Sequence, residues 1–243
     1  IAVQPVSLEA APRLGILKQG SDQLITDFVE KPKDPEIQQA FVSRDDPRFP
    51  LLGSMGIYPF KTSVPDELLR ELDVDDFGKE VIPHAIHTHK VVGYVFEGYW
   101  EDIGTMRSFY EANLALTQPS PPFNFYDAYN PIYTHARFLP GSIVSGAQLK
   151  DVSLADGCYL GKAEIDCSVI GLRSQIQDGA FIKNTVIMGA DYYEARGKKT
   201  PAVPIGIGEN CHIEGAIIDK NARIGSGVVI KPFPPGTELD TET

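Results

Sequence analysis

The side chains best suited to chemistry in this sequence are Asp102 and the adjacent pair Glu30 and Lys31. Val91–Phe96 is an apolar, β-branched and aromatic run that suits a strand, and Thr105 suits the N-cap of the helix that follows, so Asp102 falls in a strand-to-helix loop. In an open α/β sheet such loops stand at the carboxyl ends of strands, where ligands bind. The same carboxylate would also serve simply to cap or tighten the turn. Glu30 and Lys31 end another strand-like run, Leu24–Val29, and place an acceptor beside a cation, which suits a hydroxyl and a phosphate held together. A bare dipeptide of this kind is more often a solvated surface pair. Leu51–Phe60 reads as a buried strand interrupted by Gly53, Ser54 and Gly56, small residues that would line a pocket or mark a bulge.

The elements that must position these groups follow from pattern. Ile1–Val6 and Arg13–Lys18 read as strands, the second with Gly15 permitting close backbone approach. Pro32 biases Lys31 towards an extended conformation. Asp34–Pro50 suits a short helix and a loop, Asp66–Leu72 and Asp76–Ile82 suit helices, and Thr105–Leu116 is the helix after Asp102. His84, His87 and His89 stand close in sequence, but no carboxylate completes a recognisable metal motif with them. Thr117–Pro131 is dense in proline and cannot be regular helix, which makes it the natural domain boundary. Its Phe123, Phe125, Tyr126 and Tyr129 are too apolar for a free linker and are expected to pack across both domains.

From Ser142 the pattern repeats every six residues: Ile143 to Leu149, Leu154 to Leu160, Ile170 to Ile176 to Ile182 to Met188, Ile207 to Ile213, and Ile218 to Ile224 to Ile230. Four residues after several of these comes a small or thin side chain, Ala147, Cys158, Ala180, Cys211, Ala222 or Val228. Neither a helix nor an alternating strand gives this double register, whereas a three-sided parallel β-helix does, each short side burying its aliphatic residue and each corner its small one. Cys158 and Cys211 are therefore read as core atoms and not nucleophiles. Tyr192–Pro204 breaks the period and is expected to be a polar loop extruded from the coil.

Composition bounds the rest. A chain of 243 residues, 42% apolar, can build two modest cores. Its formal charge of −11 and pI near 4.9 leave no basic stripe for nucleic acid, though local cations suffice for small anions. Three cysteines without CxxC spacing argue against a disulfide scaffold or zinc ribbon and suit a reducing compartment. No apolar run approaches the roughly 18 residues of a membrane span.

Together, GYWEDIGTMRSFYEANLAL from Gly98, DFGKEVIP from Asp76, FVEKP from Phe28, GSMGIYPF from Gly53, MGADYYE from Met188 and PIGIGENCHIEGAIIDKNARIG from Pro204 resemble the glucose-1-phosphate adenylyltransferase family, in that family's order. The resemblance implies an α/β nucleotidyltransferase, Rossmann-like and represented by its C-terminal part, over residues 1–117. A Pro/aromatic linker over 118–139 and a left-handed parallel β-helix of hexapeptide repeats over 140–243 would follow. It implies ADP-glucose and pyrophosphate made from ATP and glucose 1-phosphate, with Mg²⁺ as cofactor. By resemblance Asp102 is the metal ligand and Lys31 binds the sugar phosphate. Glu30 and Ser54 contact the glucose, with Gly15 also lining the substrate site, and Trp100 packs beside it. Arg173, Lys220 and Lys231 match positions linked to sugar-phosphate and phosphate effectors. At Lys231 this chain departs from the family, because Ile224–Gly225 runs almost straight into that segment.

The resemblance further implies a homo- or hetero-tetramer in a bacterial cytoplasm or plastid stroma, with no nucleic acid or membrane partner. The family's glycine-rich ATP-phosphate loop and first metal Asp find no match here. The chain also starts without Met, on residues that read as a strand under way. It is therefore expected to be a fragment carrying the sugar half of the site and to be inactive alone. Two alternatives stand beside this reading: a non-catalytic regulatory subunit or fragment of the same enzyme, and a hexapeptide-repeat acyltransferase, for which His212 is the candidate base within the repeats.

Overall fold

The computed structural model describes residues 1–20, 22–71, 76–194, 201–234 and 237. The chain divides into two compact units, Ile1–Asp102 and Ile103–Thr243. The helix expected over Thr105–Leu116 forms over Met106–Ala115 and belongs to the second unit, where the Tyr110 hydroxyl donates to the Asn184 carbonyl.

The first unit is built on a five-stranded sheet of β1 (Ala2–Val6), β2 (Gly15–Gln19), β3 (Ile25–Glu30), β4 (Leu51–Ser54) and β5 (Tyr94–Val95), in the order β3-β2-β4-β1-β5. Only β1 and β5 run parallel; the other neighbours are antiparallel. Ile16 and Leu17 are both fully buried, which is what a central strand covered on two faces requires. Val3, Leu17, Ile25 and Leu52 form one core layer, and Val6, Ala11, Ile16, Phe41 and Leu51 the other. Helices α1 (Pro35–Ala40), α2 (Ser63–Glu71) and α3 (Ile82–Thr88) flank the sheet in sequence, α3 being entered through a π turn over Phe77–Val81. Residues 72–75, including Leu72 at the end of one expected helix, lie outside the described residues.

Two local expectations change. Lys31 is not extended: its φ is 49°, in the left-handed region, because its N–H closes the open end of the β2–β3 hairpin on the Leu14 carbonyl at 3.0 Å. The strand expected over Leu51–Phe60 stops at Ser54. There the Ser54 hydroxyl accepts the Gly56 N–H at 3.2 Å, and Gly56, at φ 71°, turns the chain away.

The second unit opens with α4 (Met106–Ala115), whose Thr105 N-cap makes a reciprocal capping box with Ser108. The β-helix follows as β6 (Ile143–Val144), β7 (Gln148–Leu154), β8 (Tyr159–Leu160), β9 (Glu164–Ile170), β10 (Gln175–Ile176), β11 (Phe181–Lys183), β12 (Val186–Ile187), β13 (Gly206–Ile207), β14 (His212–Glu214), β15 (Ile217–Ile218), β16 (Arg223–Ile224) and β17 (Val229–Ile230). Every pairing among these strands is parallel. Leu160, Ile170, Ile176, Ile182, Ile207 and Ile213 point into one core, with Cys158, Ala180 and Cys211 buried at its corners. The thiols of Cys158 and Cys211 each donate to a carbonyl of the next coil, Gly171 and Gly225, at 3.1 Å, and burial pushes the Cys158 thiol above its ordinary range.

Ile143, 61% exposed and in register with Tyr159, is not an inward residue as the six-residue spacing predicts, and neither is Met188. Ile187, 4% exposed, takes that place, because Asn184 turns the corner at φ 45° and shortens the step from Ile182 by one. Asn184 stands in register with Cys167 and Asp151, which take the same conformation in the preceding coils. The linker aromatics do not pack as expected: Phe125, Tyr126 and Tyr129 are exposed, Tyr129 by 94%. Asp127 holds that stretch in a local turn by accepting from the Tyr129 and Asn130 N–H groups.

Candidate functional site

In the first unit a cleft of about 330 Å³ gathers Gly15, Glu30, Lys31, Ser54, Trp100 and Asp102, the six substrate and metal candidates of that half. The sheet order explains the convergence. Strand β2 lies between β3 and β4, so Gly15, Glu30 and Ser54, at the ends of three different strands, come side by side although they are far apart in sequence. The segment bearing Trp100 and Asp102 is tied to β1 by the Gln4 amide, which donates to the Gly98 carbonyl at 2.9 Å.

The glycines in the cleft make room for a carboxylate. A Cβ on Gly15 would stand 2.9 Å from a Glu30 oxygen and 2.6 Å from the Phe28 ring, and one on Gly78 would stand 3.3 Å from the same oxygen. Glu30 is thereby held between two backbone surfaces, with its Oε1 3.6 Å from the Lys31 ammonium. Lys31, more than half exposed, keeps its Nζ available to an anion, and the left-handed backbone at this residue carries the side chain to the cleft mouth.

Further residues line the cleft: Asp76, whose segment by resemblance packs near the sugar site, and Tyr58 and Arg13, which the sequence did not single out. Tyr58 shares a hydrogen bond with the Ser54 hydroxyl at 3.1 Å, and its ring stacks on Phe77. Asp76 accepts the Lys79 N–H at 3.0 Å and pairs with its ammonium at 3.2 Å; these contacts, the N–H first, hold its carboxyl below the usual range. Arg13 ends the 3₁₀ turn Leu8–Arg13 and adds a second cation to the rim. The four-residue spacing of Ser54 and Tyr58 was a usable signal for Tyr58. Nothing local marked Arg13.

No group of three His, Cys, Asp or Glu side chains among the described residues converges to hold a metal ion. The cleft instead offers single carboxylates beside cations, which fits Mg²⁺: that ion takes one or two carboxylates and completes its shell with water and substrate phosphate.

In the second unit, Arg173 and Lys220 approach one carboxylate. The Lys220 ammonium lies 3.0 Å from Asp191 Oδ1, the Asn221 amide bonds Oδ2 at 2.9 Å, and Arg173, donating to the neighbouring Ala190 carbonyl at 3.1 Å, adds its positive field. Asp191 is accordingly held below the usual carboxylate range, by Asn221 first and Lys220 second. Lys231 follows β17, exposed, and is not part of this group. His212 stacks on Phe181 at 4.7 Å and lies 3.6 Å from Glu214, on a coil face.

Residues 1–119 match the Nucleotidyl transferase family model, and residues 137–243 match the GLGC left-handed parallel beta-helix domain. The chain is also 45% identical, over 247 aligned positions covering 95% of its length, to the chloroplastic/amyloplastic small subunit of glucose-1-phosphate adenylyltransferase from Triticum aestivum. This chain belongs to the glucose-1-phosphate adenylyltransferase family. It spans about half, 52%, of the length of that relative. Both matches are to nucleotidyltransferase-type domains, and neither lends support to the acyltransferase reading that cast His212 as a base. No helix among the described residues is long and apolar enough to cross a membrane.

Proposed function

We propose that the protein acts in ADP-glucose synthesis, in which a phosphate oxygen of glucose 1-phosphate attacks the α-phosphorus of ATP and pyrophosphate leaves. The observation that carries this reading is the meeting of Glu30, Lys31, Ser54, Trp100 and Asp102 in one cleft. Lys31 binds the sugar phosphate, aided at the rim by Arg13, through charge-assisted hydrogen bonds. Glu30, fixed between Gly15 and Gly78, accepts from glucose hydroxyls, and Ser54, oriented by Tyr58, bonds another. Trp100 covers the sugar and keeps the Asp102 segment in place. Asp102 would hold Mg²⁺, which supplies neutralisation of phosphate charge when bound. The protein's own share is alignment: sugar phosphate held by fixed donors, so that little reorganisation remains when the oxygen attacks.

Effector anions would bind at Arg173 and Lys220, displacing the Asp191 carboxylate that Lys220 now holds. A homo- or hetero-tetramer in a bacterial cytoplasm or plastid stroma completes the proposal; the wheat relative is a chloroplastic/amyloplastic subunit.

The test is titration calorimetry of glucose 1-phosphate into the protein and into Lys31→Ala. Removing one charge-assisted contact should weaken binding by about 1.5–3 kcal/mol, roughly ten- to over a hundredfold. Equal affinity in the two proteins would remove Lys31 from the phosphate site.

A further inference from the structure

The β-helix carries a cavity of about 660 Å³ that the chemistry above does not use. Its floor is the outer face of three stacked strands, β6, β8 and β10, on which Ile143, Tyr159 and Gln175 lie in register. At ~4.8 Å between neighbouring strands, that floor runs about 10 Å. Its roof is the segment after the coil containing β12. The Tyr193 hydroxyl donates to the Gly157 carbonyl at 2.7 Å, the Tyr193 ring lies over the Arg173 guanidinium at 5.9 Å, and Glu194 pairs with Arg223, which also donates to the Val203 carbonyl at 2.8 Å. The start of the expected extruded loop is therefore fastened back onto the coil at both edges, while residues 195–200 of it lie outside the described residues.

Residue choice keeps this space open. A Cβ at Gly157 would stand 2.3 Å from the Tyr193 hydroxyl oxygen, and one at Gly206, where φ is 119°, would stand 2.2 Å from the Gln175 carbonyl. Gly157 thus admits the roof contact, and Gly206 lets adjacent coils close beneath it.

The charges at the walls are already engaged. Arg173 serves the Ala190 carbonyl and the Tyr193 ring, and Glu194 serves Arg223. The rest of the lining includes the rings of Tyr159, Tyr192 and Tyr193 and the amides of Gln175 and Gln177. Aromatic faces stack on the C–H faces of sugar rings, and a primary amide both donates to and accepts from neighbouring hydroxyls. A phosphorylated ligand would have to draw Arg173 away from the Ala190 carbonyl and the Tyr193 ring, whereas an uncharged one leaves both contacts in place. A floor crossing three coils is longer than one ring.

We propose that this cavity binds a linear, uncharged oligosaccharide, its rings on Tyr159 and the Tyr192–Tyr193 roof and its hydroxyls on Gln175 and Gln177. The inference does not rest on the reading of the Glu30–Asp102 cleft, and its test separates the two. Maltotriose and cellotriose, which differ only in linkage geometry, are titrated into the full chain alongside glucose, ATP and inorganic phosphate. At least one trisaccharide should bind more tightly than glucose. Tyr159→Ala should weaken it about tenfold and Gln177→Ala several-fold, with unchanged melting temperature, while Glu30→Gln leaves it unaltered. The proposal is overturned if neither trisaccharide binds at millimolar concentration, if Glu30→Gln abolishes binding that Tyr159→Ala retains, or if only ATP or phosphate binds in a Tyr159-dependent way.

Discussion

In the first unit the groups that line the cleft come from the ends of β2, β3 and β4, from the π turn and from the segment after β5, and they meet where the backbone is irregular: Lys31 at φ 49°, Gly56 at φ 71°. In the second unit the backbone repeats, and the residues that matter most for its integrity are near copies of one another, such as Ile176, Ile182, Ile207 and Ile213 in a single core. The difference separates two kinds of cost. Cleft side chains such as Lys31 and Asp102 are exposed, so their loss should be felt in binding or turnover. A coil side chain is enclosed by neighbours above and below, so its loss should be felt in stability.

The largest effect expected is on the coil side. Ile182→Ala removes a fully buried side chain from the middle of the stack and should cost about 2–5 kcal/mol, seen as a lower denaturation midpoint, with glucose 1-phosphate affinity at the cleft retained under native conditions. A change below about 0.5 kcal/mol would mean that adjacent coils close the gap and that repetition protects the fold better than enclosure implies.

Asp102→Asn is the counterpart at the cleft. Asn keeps the size and turn preference of Asp, so a structural role would survive, whereas a metal-binding role would not. In an active enzyme carrying these residues kcat should fall by at least two orders of magnitude, about 2.7 kcal/mol, across a Mg²⁺ titration, with the melting temperature unchanged. Near-wild-type turnover, or a loss that tracks a lower melting temperature, would return Asp102 to the turn.

Gly15→Ala tests whether the cleft is more than a list of side chains. The added methyl meets the Phe28 ring and the Glu30 carboxylate, so Glu30 must shift, and glucose 1-phosphate affinity should drop about tenfold, some 1.4 kcal/mol. Unchanged affinity would show that the sugar does not use Glu30 as it is held here.

The smallest effect concerns Asp76 and Asp191, one carboxylate in each unit, both held below the ordinary range by donors that favour the ionised form. A depressed folded-state value contributes stability that is present above the unfolded value of about 3.9 and is lost as pH falls through the folded one. Asp76→Asn and Asp191→Asn should therefore melt slightly below wild type at neutral pH, and the gap should narrow as pH falls below the unfolded value. Both groups are exposed, so the gaps should also shrink in high salt. A gap that widens with acid would reverse the sign and refute the assignment.

The sequence by itself determined what depends on local geometry. The six-residue spacing with small corner residues specifies a β-helix because each coil must turn three times and bury one aliphatic side chain per side, and Cys158 and Cys211 were legible as core for the same reason. Thr105 was legible as a helix cap because capping is satisfied within three residues, at Ser108. Glu30, Lys31 and Asp102 were legible as candidates, but their meeting was not: it depends on β2 lying between β3 and β4, a matter of strand order that no local pattern encodes. Tertiary structure alone decided that a hairpin-end hydrogen bond overrides the bias of Pro32 at Lys31, that the Asn184 corner makes Ile187 the inward residue in place of Met188, and that Tyr193 reaches back across the coil to Gly157. Each of these is settled by a contact between residues distant in sequence, where the closing hydrogen bond or buried side chain outweighs the local preference of the chain.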